Sequence, residues 1–455
     1  MKNAIIWLKN DLRLSDNLAI DYAVQNNHQI LFLYIEDQNI GSASKWFLYQ
    51  ALKSFSEDIF QKYQAKLIIK PGDELKILEE LVQKYNINSI FWNRIYEPEK
   101  ITRDIKIKKY FKDNGLEVES FNSSLLFEPF EIKNLSGSFF KVFTPFWKKC
   151  LTKIADLSFP TAIPKKLNLV KLDKNEDFNL EKLNLLPKNP NWAENWNKIY
   201  KISEESAHDM ADEFVKNRAL IYKKSRDFPA QNNTSFLSPF LHYGLISPKH
   251  LYYKIIPYFH NEDAKCFLSE IGWREFSYHL LYHFPNLPTK NFKEKFNNFP
   301  WQNNKENIKK WRKGQTGFPI IDAGMRELYQ TGRMHNRVRM IVASFLTKNL
   351  LIDWKIGQEW FWDCLTDADL ASNSASWQWV AGSGADAAPF FRIFNPITQS
   401  EKFDPDGEYI KKWLPELRNL TNDEIHNPKD RSNYYPQMVC LKESRNRALE
   451  LYRGL

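Results

Sequence analysis

The sequence predicts two domains of different class: an α/β N-terminal domain with a doubly wound parallel sheet, followed by an all-α C-terminal domain. In the N-terminal part, short apolar runs alternate with helical stretches, which is typical of repeated βαβ units. The periodicity then breaks down in a Pro-, Asn- and Lys-rich segment, and beyond Glu204 the helical period dominates. We therefore expect an N-terminal domain over 1–130, an interdomain connector over 131–200 and a helical domain over 201–455.

The elements of the N-terminal domain follow from the apolar periodicity. Strands are predicted at Ala4–Leu8, Ile30–Ile35, Lys66–Lys70, Ser89–Trp92 and Glu117–Phe121. Helices are predicted between them at Ser42–Gln64, Asp73–Tyr85 and Glu97–Asn114. Ligands of such sheets bind beyond the carboxyl ends of the strands. The Gly-x-Gly-x-x-Gly motif is nevertheless absent after the first strand, so the motif predicts no nucleotide site in this domain.

The composition indicates a folded protein with a basic C-terminal part. Of the 455 residues, 43% are hydrophobic, which excludes a disordered chain, and 15 are Trp, more than core packing usually needs. Residues 221–455 hold 32 Lys and Arg against 25 Asp and Glu, and so carry most of the net charge of +9. A basic face attracts polyanions, which makes nucleic acid a candidate partner, while a solvated Lys-rich surface is an equal alternative.

The four cysteines, Cys150, Cys266, Cys364 and Cys440, are widely spaced, which suggests neither a zinc site nor a disulfide framework. The apolar run at Ala4–Leu8 is too short for a signal peptide. No stretch approaches the ~20 apolar residues of a membrane span. We therefore expect a cytoplasmic protein without membrane contact and without a bound metal.

A hydroxyl-rich turn opens one helix of the C-terminal part. Thr234, Ser235 and Ser238 come directly before a helical run with Pro239 near its start. Such a turn either caps the helix or binds a phosphate through free backbone N–H groups, and capping is the commoner explanation.

Another predicted helix carries four side chains on one face, at the spacing i, i+3, i+4 and i+7: Glu270, Trp273, Arg274 and Ser277. A carboxylate one turn from an indole suits a pocket that stacks a planar ligand and bonds its edge, although an ordinary amphipathic helix also explains the pattern. His279 and His283 lie on the same helix, but without a His-Glu-x-x-His motif they predict no metal site.

A basic segment runs straight into an apolar helix near residue 340. Its Arg337 and Arg339 need partners if they are buried, and Asp367 and Asp369 are the candidates. Structural ion pairing alone would explain this pattern.

Tryptophans crowd into one short span, at Trp354, Trp360, Trp362, Trp377 and Trp379. Residues two apart on a helix point to different sides, so one of Trp377 and Trp379 could face a ligand and the other the interior, with core packing as the alternative. Together with the hydroxyl turn and the Glu270 helix, these indoles favour one large planar phosphorylated ligand beside a nucleic-acid groove.

Long motifs follow one another along nearly the whole chain. They are Trp7–Leu18, Lys141–Phe146, Arg226–Pro229, Trp273–Phe276, Gly317–Arg326, Met334–Met340, Asp367–Asn373 and Trp377–Pro396. In this order they resemble the photolyase/cryptochrome flavoproteins, most closely the class I cyclobutane-pyrimidine-dimer photolyases. So many motifs in one order make a chance resemblance negligible.

The resemblance implies light-dependent repair of UV-damaged DNA, in which photoexcited reduced FAD passes an electron to a cyclobutane pyrimidine dimer and the dimer ring splits. Asn373 matches the family position beside the flavin N5. The residues expected around a folded-back FAD in the helical domain are Tyr222, Thr234, Ser235, Phe236, Leu237, Ser238, Arg274, Asp367, Ala368, Asp369 and Asn373.

The same resemblance implies a lesion pocket lined by Glu270, Trp273, Asn336, Met340 and Trp379. A Glu270 kept protonated by burial would hydrogen-bond the charge that builds on a pyrimidine carbonyl, while the two indoles stack on the bases. The expected DNA contacts are Arg226, Arg337, Arg392, Gln399 and Lys402. The tryptophans that match the family's electron path from the surface to the flavin are Trp377, Trp354 and Trp301.

Two departures from the family pattern bear on what is bound. Gly41–Trp46 and Tyr96–Lys100 do not reproduce the folate-binding pattern of some members, so an antenna chromophore could be a folate, a deazaflavin, another flavin or absent. His335 is followed by Asn336, where enzymes acting on (6-4) photoproducts carry a His pair, which favours the cyclobutane dimer.

The preferred interpretation is a monomeric repair enzyme. A cryptochrome-type blue-light photoreceptor is the alternative, but signalling members usually lose the pocket carboxylate, and this chain retains Glu270 and Asn373. An electron-transfer flavoprotein that binds no DNA would leave the basic segment unexplained.

Overall fold

The N-terminal part forms one parallel sheet. The computed structural model describes residues 1–37, 39–173, 176, 179–428 and 434–455. Its strands are β1 (Asn3–Leu8), β2 (Gln29–Ile35), β3 (Leu67–Lys70), β4 (Ile87–Asn93), β5 (Glu117–Phe121) and β6 (Asn168–Leu169). The five longer strands lie in the order β3-β2-β1-β4-β5, and β6 pairs with the start of β2. All pairs are parallel, so the predicted doubly wound class is confirmed.

Helices cover the sheet, and they are the regular secondary structure of the C-terminal part, where the described residues hold no strand; this confirms its predicted all-α class. A π-helical turn, Phe345–Asn349, continues α13. The α-helices of the described residues are α1 (Leu18–Gln25), α2 (Ser42–Tyr63), α3 (Glu74–Lys84), α4 (Pro98–Asp113), α5 (Phe143–Lys153), α6 (Glu204–Asn217), α7 (Tyr222–Ser225), α8 (Ser238–His242), α9 (Pro248–Ile255), α10 (Glu262–His283), α11 (Lys305–Arg312), α12 (Pro319–Thr331), α13 (Asn336–Ser344), α14 (Trp354–Cys364), α15 (Leu370–Ala381), α16 (Pro396–Phe403), α17 (Glu408–Trp413), α18 (Asn422–Ile425) and α19 (Leu441–Arg453).

The strands β1 to β4 are rich in apolar residues because both faces of the sheet are buried there, whereas β5 at the edge has a single buried residue, Val118. On β1, Ile5 and Trp7 pack with α3 and α4 on one face, while Ile6 and Leu8 pack with α1 and α2 on the other. The apolar cluster on the α1 and α2 face of the sheet continues without interruption into the helical domain, where it includes Tyr243. The two domains therefore share one core.

The connector predicted over 131–200 contains regular structure that its composition conceals. Phe146, Trp147 and Cys150 are the buried face of α5, which packs against α10, and β6 extends the sheet. The Pro- and Asn-rich flanks of this segment hide a helix of 11 residues, which the lack of periodicity did not indicate. Lys174, Asn175, Asp177 and Phe178 of the predicted connector lie outside the described residues.

The segment after β1 is a buried junction between the two domains. The Arg13 side chain is fully buried and donates to the backbone oxygens of Ser15 at 3.0 Å, Gly244 at 2.8 Å and Ser123 at 2.6 Å. The Glu204 carboxylate accepts from the backbone N–H of Ser15 at 2.9 Å. This edge of the sheet is where doubly wound folds bind ligands, and here the chain's own charges fill it. That explains why no glycine-rich phosphate motif follows β1.

No α-helix in the described ranges combines the length and apolarity that crossing a bilayer requires.

Candidate functional site

A cavity of about 1030 Å³ lies among the helices of the C-terminal domain. It collects residues from segments that are distant in sequence. Every residue predicted around FAD lines it: Tyr222, Thr234, Ser235, Phe236, Leu237, Ser238, Arg274, Asp367, Ala368, Asp369 and Asn373. Every residue predicted for the lesion pocket lines it too: Glu270, Trp273, Asn336, Met340 and Trp379. Their roles remain predictions, but their common location is a feature of the structure.

The hydroxyl turn does not cap the helix that follows it. Ser238 is the first residue of α8, and its hydroxyl donates to Asp367 Oδ2 at 2.6 Å. No side chain caps the start of α8, so the backbone N–H of Ser238 remains available to a ligand, while Pro239 has no N–H to satisfy. Arg218 supports the turn by donating to the carbonyl of Thr234 at 3.0 Å. The structure therefore favours the phosphate-binding interpretation over simple capping.

Asp367 and Asp369, on the cavity wall, have different partners. Asp367 pairs with Arg339 at 3.0 Å, as expected from the sequence. Asp369 lies 3.5 Å from His242 and accepts a hydrogen bond from the Tyr278 hydroxyl. Burial alone would raise the pKa of both carboxyls, but these partners more than offset it, and both pKa values are lowered. The wall therefore presents fixed carboxylates.

Arg337 does not pair with either of these aspartates, which was the other candidate arrangement. It pairs with Asp227 at 2.7 Å instead. His242 and Tyr278 carried no recognisable signal in the sequence, because both lie on helices whose spacing explains them as core residues.

Arg274 connects the cavity to the N-terminal domain. Its Nη1 donates to the carbonyl of Ser124 at 2.7 Å, and its guanidinium carbon lies 5.2 Å from the ring centre of Tyr278. The four side chains predicted on one face of α10, Glu270, Trp273, Arg274 and Ser277, all line the cavity. A guanidinium held on two sides is suited to orienting an anionic or carbonyl group.

The two histidines further along α10 have structural contacts. His279 Nε2 accepts from the backbone N–H of Phe140 at 3.0 Å, and His283 Nε2 lies 3.1 Å from the carbonyl of Pro129. Within the described residues, no group of three or more His, Cys, Asp and Glu could hold a metal ion.

Glu270 does not occupy the buried setting that a protonated acid needs. Its side chain is 32% exposed and forms an ion pair with Arg226. Arg226 was expected at a DNA phosphate, but it lines the cavity, 5.1 Å from the ring centre of Tyr222. The expected burial of an unpaired Glu270 is wrong, because the two charges lie close enough to satisfy each other. The DNA contact of Arg226 stays a prediction.

Trp273 is held in place by a residue from the connector. Phe143 stacks on it face to face, with ring centres 3.8 Å apart and an interplanar angle of 9°. The backbone N–H of Phe143 donates to Asp386 Oδ2 at 3.0 Å. Phe143 lies in the motif Lys141–Phe146, but nothing in its spacing indicates this contact.

The other predicted DNA residues meet in a second cavity of about 390 Å³, the basic groove, which is lined by Lys224, Asp227, Phe228, Arg337, Arg392, Phe394, Gln399, Lys402 and Phe403. The two cavities adjoin, because consecutive residues line different ones. Arg226 lines the first and Asp227 the second, and Asn336 and Arg337 are divided in the same way.

The three tryptophans of the predicted electron path belong to one apolar cluster. Trp377 lines the cavity, Trp354 is fully buried with its Nε1 donating to Asn291 at 2.8 Å, and Trp301 is half-buried. The described ring contacts of Trp377 are with Phe361 and Trp311. Of the three indoles, Trp301 is the one with substantial solvent exposure. The electron path through them stays a prediction.

An acidic site on the cavity wall had no counterpart in the sequence interpretation. Glu327 Oε2 accepts from the Tyr409 hydroxyl at 2.5 Å and from the backbone N–H of His335 at 3.4 Å. Burial raises the pKa of Glu327. It lies on α12 and Tyr409 on α17, and only the tertiary fold brings these helices together.

The N-terminal segments that depart from the folate-binding pattern make contacts within the protein. A Cβ on Gly41 would lie 1.9 Å from the carbonyl oxygen of Trp362, so glycine allows α2 to meet α14 there. Lys100 pairs with Asp37 and, at 3.0 Å, with Glu97.

Comparison with known proteins agrees with this geometry. Family models match at residues 4–165, described as DNA photolyase, and at residues 267–454, described as the FAD binding domain of DNA photolyase. The deoxyribodipyrimidine photo-lyase of Agrobacterium fabrum is 44% identical over 431 residues, which is 93% of this chain and 89% of the relative. Cryptochrome-2 of Arabidopsis thaliana is 34% identical, covering 94% of this chain and 73% of the relative. The crystal structure of a class III photolyase from Agrobacterium tumefaciens superposes with a TM-score of 0.95 at 42% identity, over 100% of this chain and 98% of that one.

The fold and the cavity define a two-domain protein whose helical domain binds a large planar cofactor at the boundary with a basic groove. The chain belongs to the photolyase/cryptochrome family, and it carries that family's FAD-binding domain.

The residues of the cavity fit FAD. Its volume is at the upper end of the roughly 300–1,000 Å³ typical of ligand pockets, as a dinucleotide requires. The uncapped backbone N–H of Ser238 and the hydroxyls of the turn suit a pyrophosphate, and the guanidinium of Arg274 supplies a cation. Asn373 Nδ2 donates to the carbonyl of Gln358 at 3.0 Å, which leaves Oδ1 to accept from a ligand.

Proposed function

We propose that this protein is a light-dependent DNA-repair enzyme, a deoxyribodipyrimidine photo-lyase that splits cyclobutane pyrimidine dimers. The observation that carries the proposal is the adjoining pair of cavities. A dimer turned out of a duplex could enter the large cavity while the flanking phosphates lie in the basic groove. When bound, reduced FAD supplies the electron for dimer splitting.

The indoles of the pocket hold the dimer by stacking. Phe143 stacks on one face of Trp273 and fixes the orientation of the indole, so that it presents a defined plane to a base. Trp379 lines the same cavity. Asn336 supplies both a donor and an acceptor to a base edge, and Met340 fills the space beside it.

Glu270 takes a different role from the one the sequence suggested. Held by Arg226, its carboxylate accepts a hydrogen bond from a pyrimidine N–H instead of donating one to a carbonyl. Arg226 thus orients Glu270, and the phosphate contacts come from Arg337, Arg392 and Lys402, with Gln399 beside them.

Within the family, we place the chain with the class III photolyases and not with class I. The similarity to the Agrobacterium class III structure over the whole chain supports this placement. Asn336 after His335 supports the cyclobutane dimer as substrate over the (6-4) photoproduct. Action as a monomer in the cytoplasm remains our expectation.

The decisive experiment follows repair directly. The purified, reduced protein is mixed with dimer-containing oligothymidylate under blue light, and recovery of absorbance at the thymine band is measured. We expect recovery in the light and none in the dark. Absence of recovery in the light would overturn the proposal and favour the cryptochrome alternative, which the 34% identity to Cryptochrome-2 keeps open.

A variant pair tests the site. Glu270→Gln keeps the shape but loses the charge that Arg226 holds, so we expect repair to slow by roughly tenfold with FAD still bound. Glu262→Gln, an exposed position at the start of the same helix, is the control and should repair at the normal rate. Loss of FAD from Glu270→Gln would show that Glu270 serves the cofactor instead.

A further inference from the structure

A buried lysine lies behind the basic groove and has no partner of opposite charge. Lys348 is 1% exposed and belongs to the π-helical turn that continues α13. No carboxylate of the described residues lies within 4.0 Å of its Nζ. Burial, together with the nearby positive charge of Arg392, lowers its pKa to about 7. Placing an ammonium group here is costly, so its contacts merit a functional explanation.

The contacts of Lys348 all involve one loop. Its Nζ donates to the carbonyl oxygen of Arg392 at 3.1 Å and lies 5.3 Å from the ring centre of Phe390. A second link comes from α13, where the Ser344 hydroxyl accepts from the backbone N–H of Phe394 at 3.3 Å. Helix α13, which carries Asn336, and its π-helical extension thus each form a hydrogen bond to the backbone of this loop.

The loop over residues 389–394 has an anchored side and a free side. Phe390 is buried and stacks on Tyr452 of α19, with ring centres 4.6 Å apart. Phe391 and Arg392 are exposed, Phe391 by 63%. The Arg392 guanidinium forms no ion pair with a carboxylate in the described part of the chain, whereas Arg337 across the groove is paired with Asp227. Arg392 is therefore a cation of the groove whose guanidinium is free to meet a phosphate.

We propose that Lys348 is a positioning residue for DNA binding: through the carbonyl of Arg392 it holds the loop where the Arg392 guanidinium contacts a backbone phosphate. The inference rests on the proposed function, because the phosphate belongs to the damaged DNA. Lys348 itself touches neither DNA nor cofactor. A structural role alone would lower stability without regard to Arg392, and this difference makes the inference testable.

The test measures the affinity for a dimer-containing duplex at several salt concentrations, using the FAD-loaded protein. Arg392→Ala should lose one phosphate contact, which lowers the slope of log affinity against log salt by about one. Lys348→Met keeps the aliphatic stem but loses the donor, and we expect about fivefold weaker binding with a slope reduced in the same direction. The repair rate of Lys348→Met at saturating DNA should stay unchanged, because Lys348 touches neither DNA nor cofactor.

The double variant decides whether Lys348 acts through Arg392. If it does, Lys348→Met has no further effect on affinity in the Arg392→Ala background, so the two changes are not additive. Full additivity overturns the inference, and so does wild-type affinity for Lys348→Met. Wild-type binding by Arg392→Ala would instead contradict the proposed role of the groove.

Two further variants serve as a control and as a replacement for Lys348→Met. Lys355→Met, at a half-exposed position on α14, is the control for losing a lysine elsewhere and should bind like the wild type. If Lys348→Met does not yield folded protein, Lys348→Gln replaces it, since its amide nitrogen is one bond shorter and cannot hold the Arg392 carbonyl. Normal affinity and salt slope for Lys348→Gln would equally overturn the inference.

Discussion

The carboxyl edge of the N-terminal sheet and the cavity of the helical domain are both places where a nucleotide could bind, and they differ in what fills them. At the sheet edge, the fully buried Arg13 is surrounded by backbone oxygens, and Lys249 pairs with Asp16 at 2.7 Å. In the cavity, charged groups such as Arg274 line about 1030 Å³ of open space. Fold class alone therefore does not locate a ligand site, because the chain's own charges can occupy it.

The same difference separates structural charge from functional charge. A buried ion that hydrogen-bonds only to its own chain fixes the junction between the domains. A charge that is held by neighbouring groups and still lines an open cavity, as Arg274 is, can orient a ligand. Variants on each side of this comparison should therefore affect different quantities, stability at the sheet edge and ligand affinity in the cavity.

The largest effect is expected at the filled edge. Arg13→Met would leave the carbonyls of Gly244 and Ser123 without a donor and the buried Glu204 without its nearby cation, which should lower the free energy of unfolding by about 3–5 kcal/mol. Chemical denaturation followed by circular dichroism measures the loss. Lys2→Met, at a position 67% exposed, is the control and should change stability by less than ~0.5 kcal/mol. Equal stability of the two variants would mean that Arg13 does not hold the junction.

The seam between the two regions should show the next effect, as a dependence on pH. Glu275 is buried beside Arg274, accepts from the backbone N–H groups of Leu126 and Phe127 at 2.9 and 3.2 Å, and burial raises its pKa to about 7. Between the unfolded value of 4.5 and about 7, the folded protein holds a proton that the unfolded chain has lost. This group's contribution to stability is therefore lost as the pH rises through that window, by about 3 kcal/mol in all.

Glu275→Gln removes the titration while keeping an acceptor for the two N–H groups. The free energy of unfolding of this variant, minus that of the wild type, should increase between pH 5 and pH 8. A constant difference across that range would show that Glu275 does not change its protonation on unfolding.

Local periodicity predicts the sheet well, and tertiary contacts explain the rest. All five main strands are predicted within two residues of their observed bounds, and β1 to β4 are marked by apolar runs because both of their faces are largely buried. The helix α1 is missed since it has only eight residues, and α5 is hidden by its Pro- and Asn-rich flanks. Short elements carry too little periodic signal to be recognised.

The resemblance predicts which residues line the cavity, but it does not predict their ion-pair and hydrogen-bond partners within the protein. Glu270 and Arg226 are 44 residues apart, and which charge pairs with which depends on how α7 meets α10. The expectation of a buried acid treats Glu270 by itself, and it is wrong because Arg226 lies within reach. Partner choice is a tertiary property that spacing along one helix does not contain.

A smaller effect is expected in the open cavity, and on affinity instead of stability. Arg274→Met should weaken FAD binding about tenfold, since it removes a charge-assisted donor while the backbone of α10 stays in place. Fluorescence titration of the apoprotein with FAD measures this. Lys265→Met, exposed on the same helix, should bind FAD normally. Unaltered affinity in Arg274→Met would mean that its bond to Ser124 is its whole role, making it structural like Arg13.

The smallest effect sharpens the comparison at the connector, which touches both regions. Phe143→Leu keeps much of the volume against Trp273 but removes a stacked ring, a contact worth about 1 kcal/mol, so dimer-containing DNA should bind about fivefold more weakly with FAD content unchanged. Phe159→Leu is the matched control, because Phe159 belongs to the same connector and stacks on Tyr253, away from the cavity. Weaker binding in the first variant alone would show that a residue outside the helical domain orients the pocket wall. Equal binding in both would mean that α10 holds Trp273 without help, and that the open cavity depends on the helical domain alone.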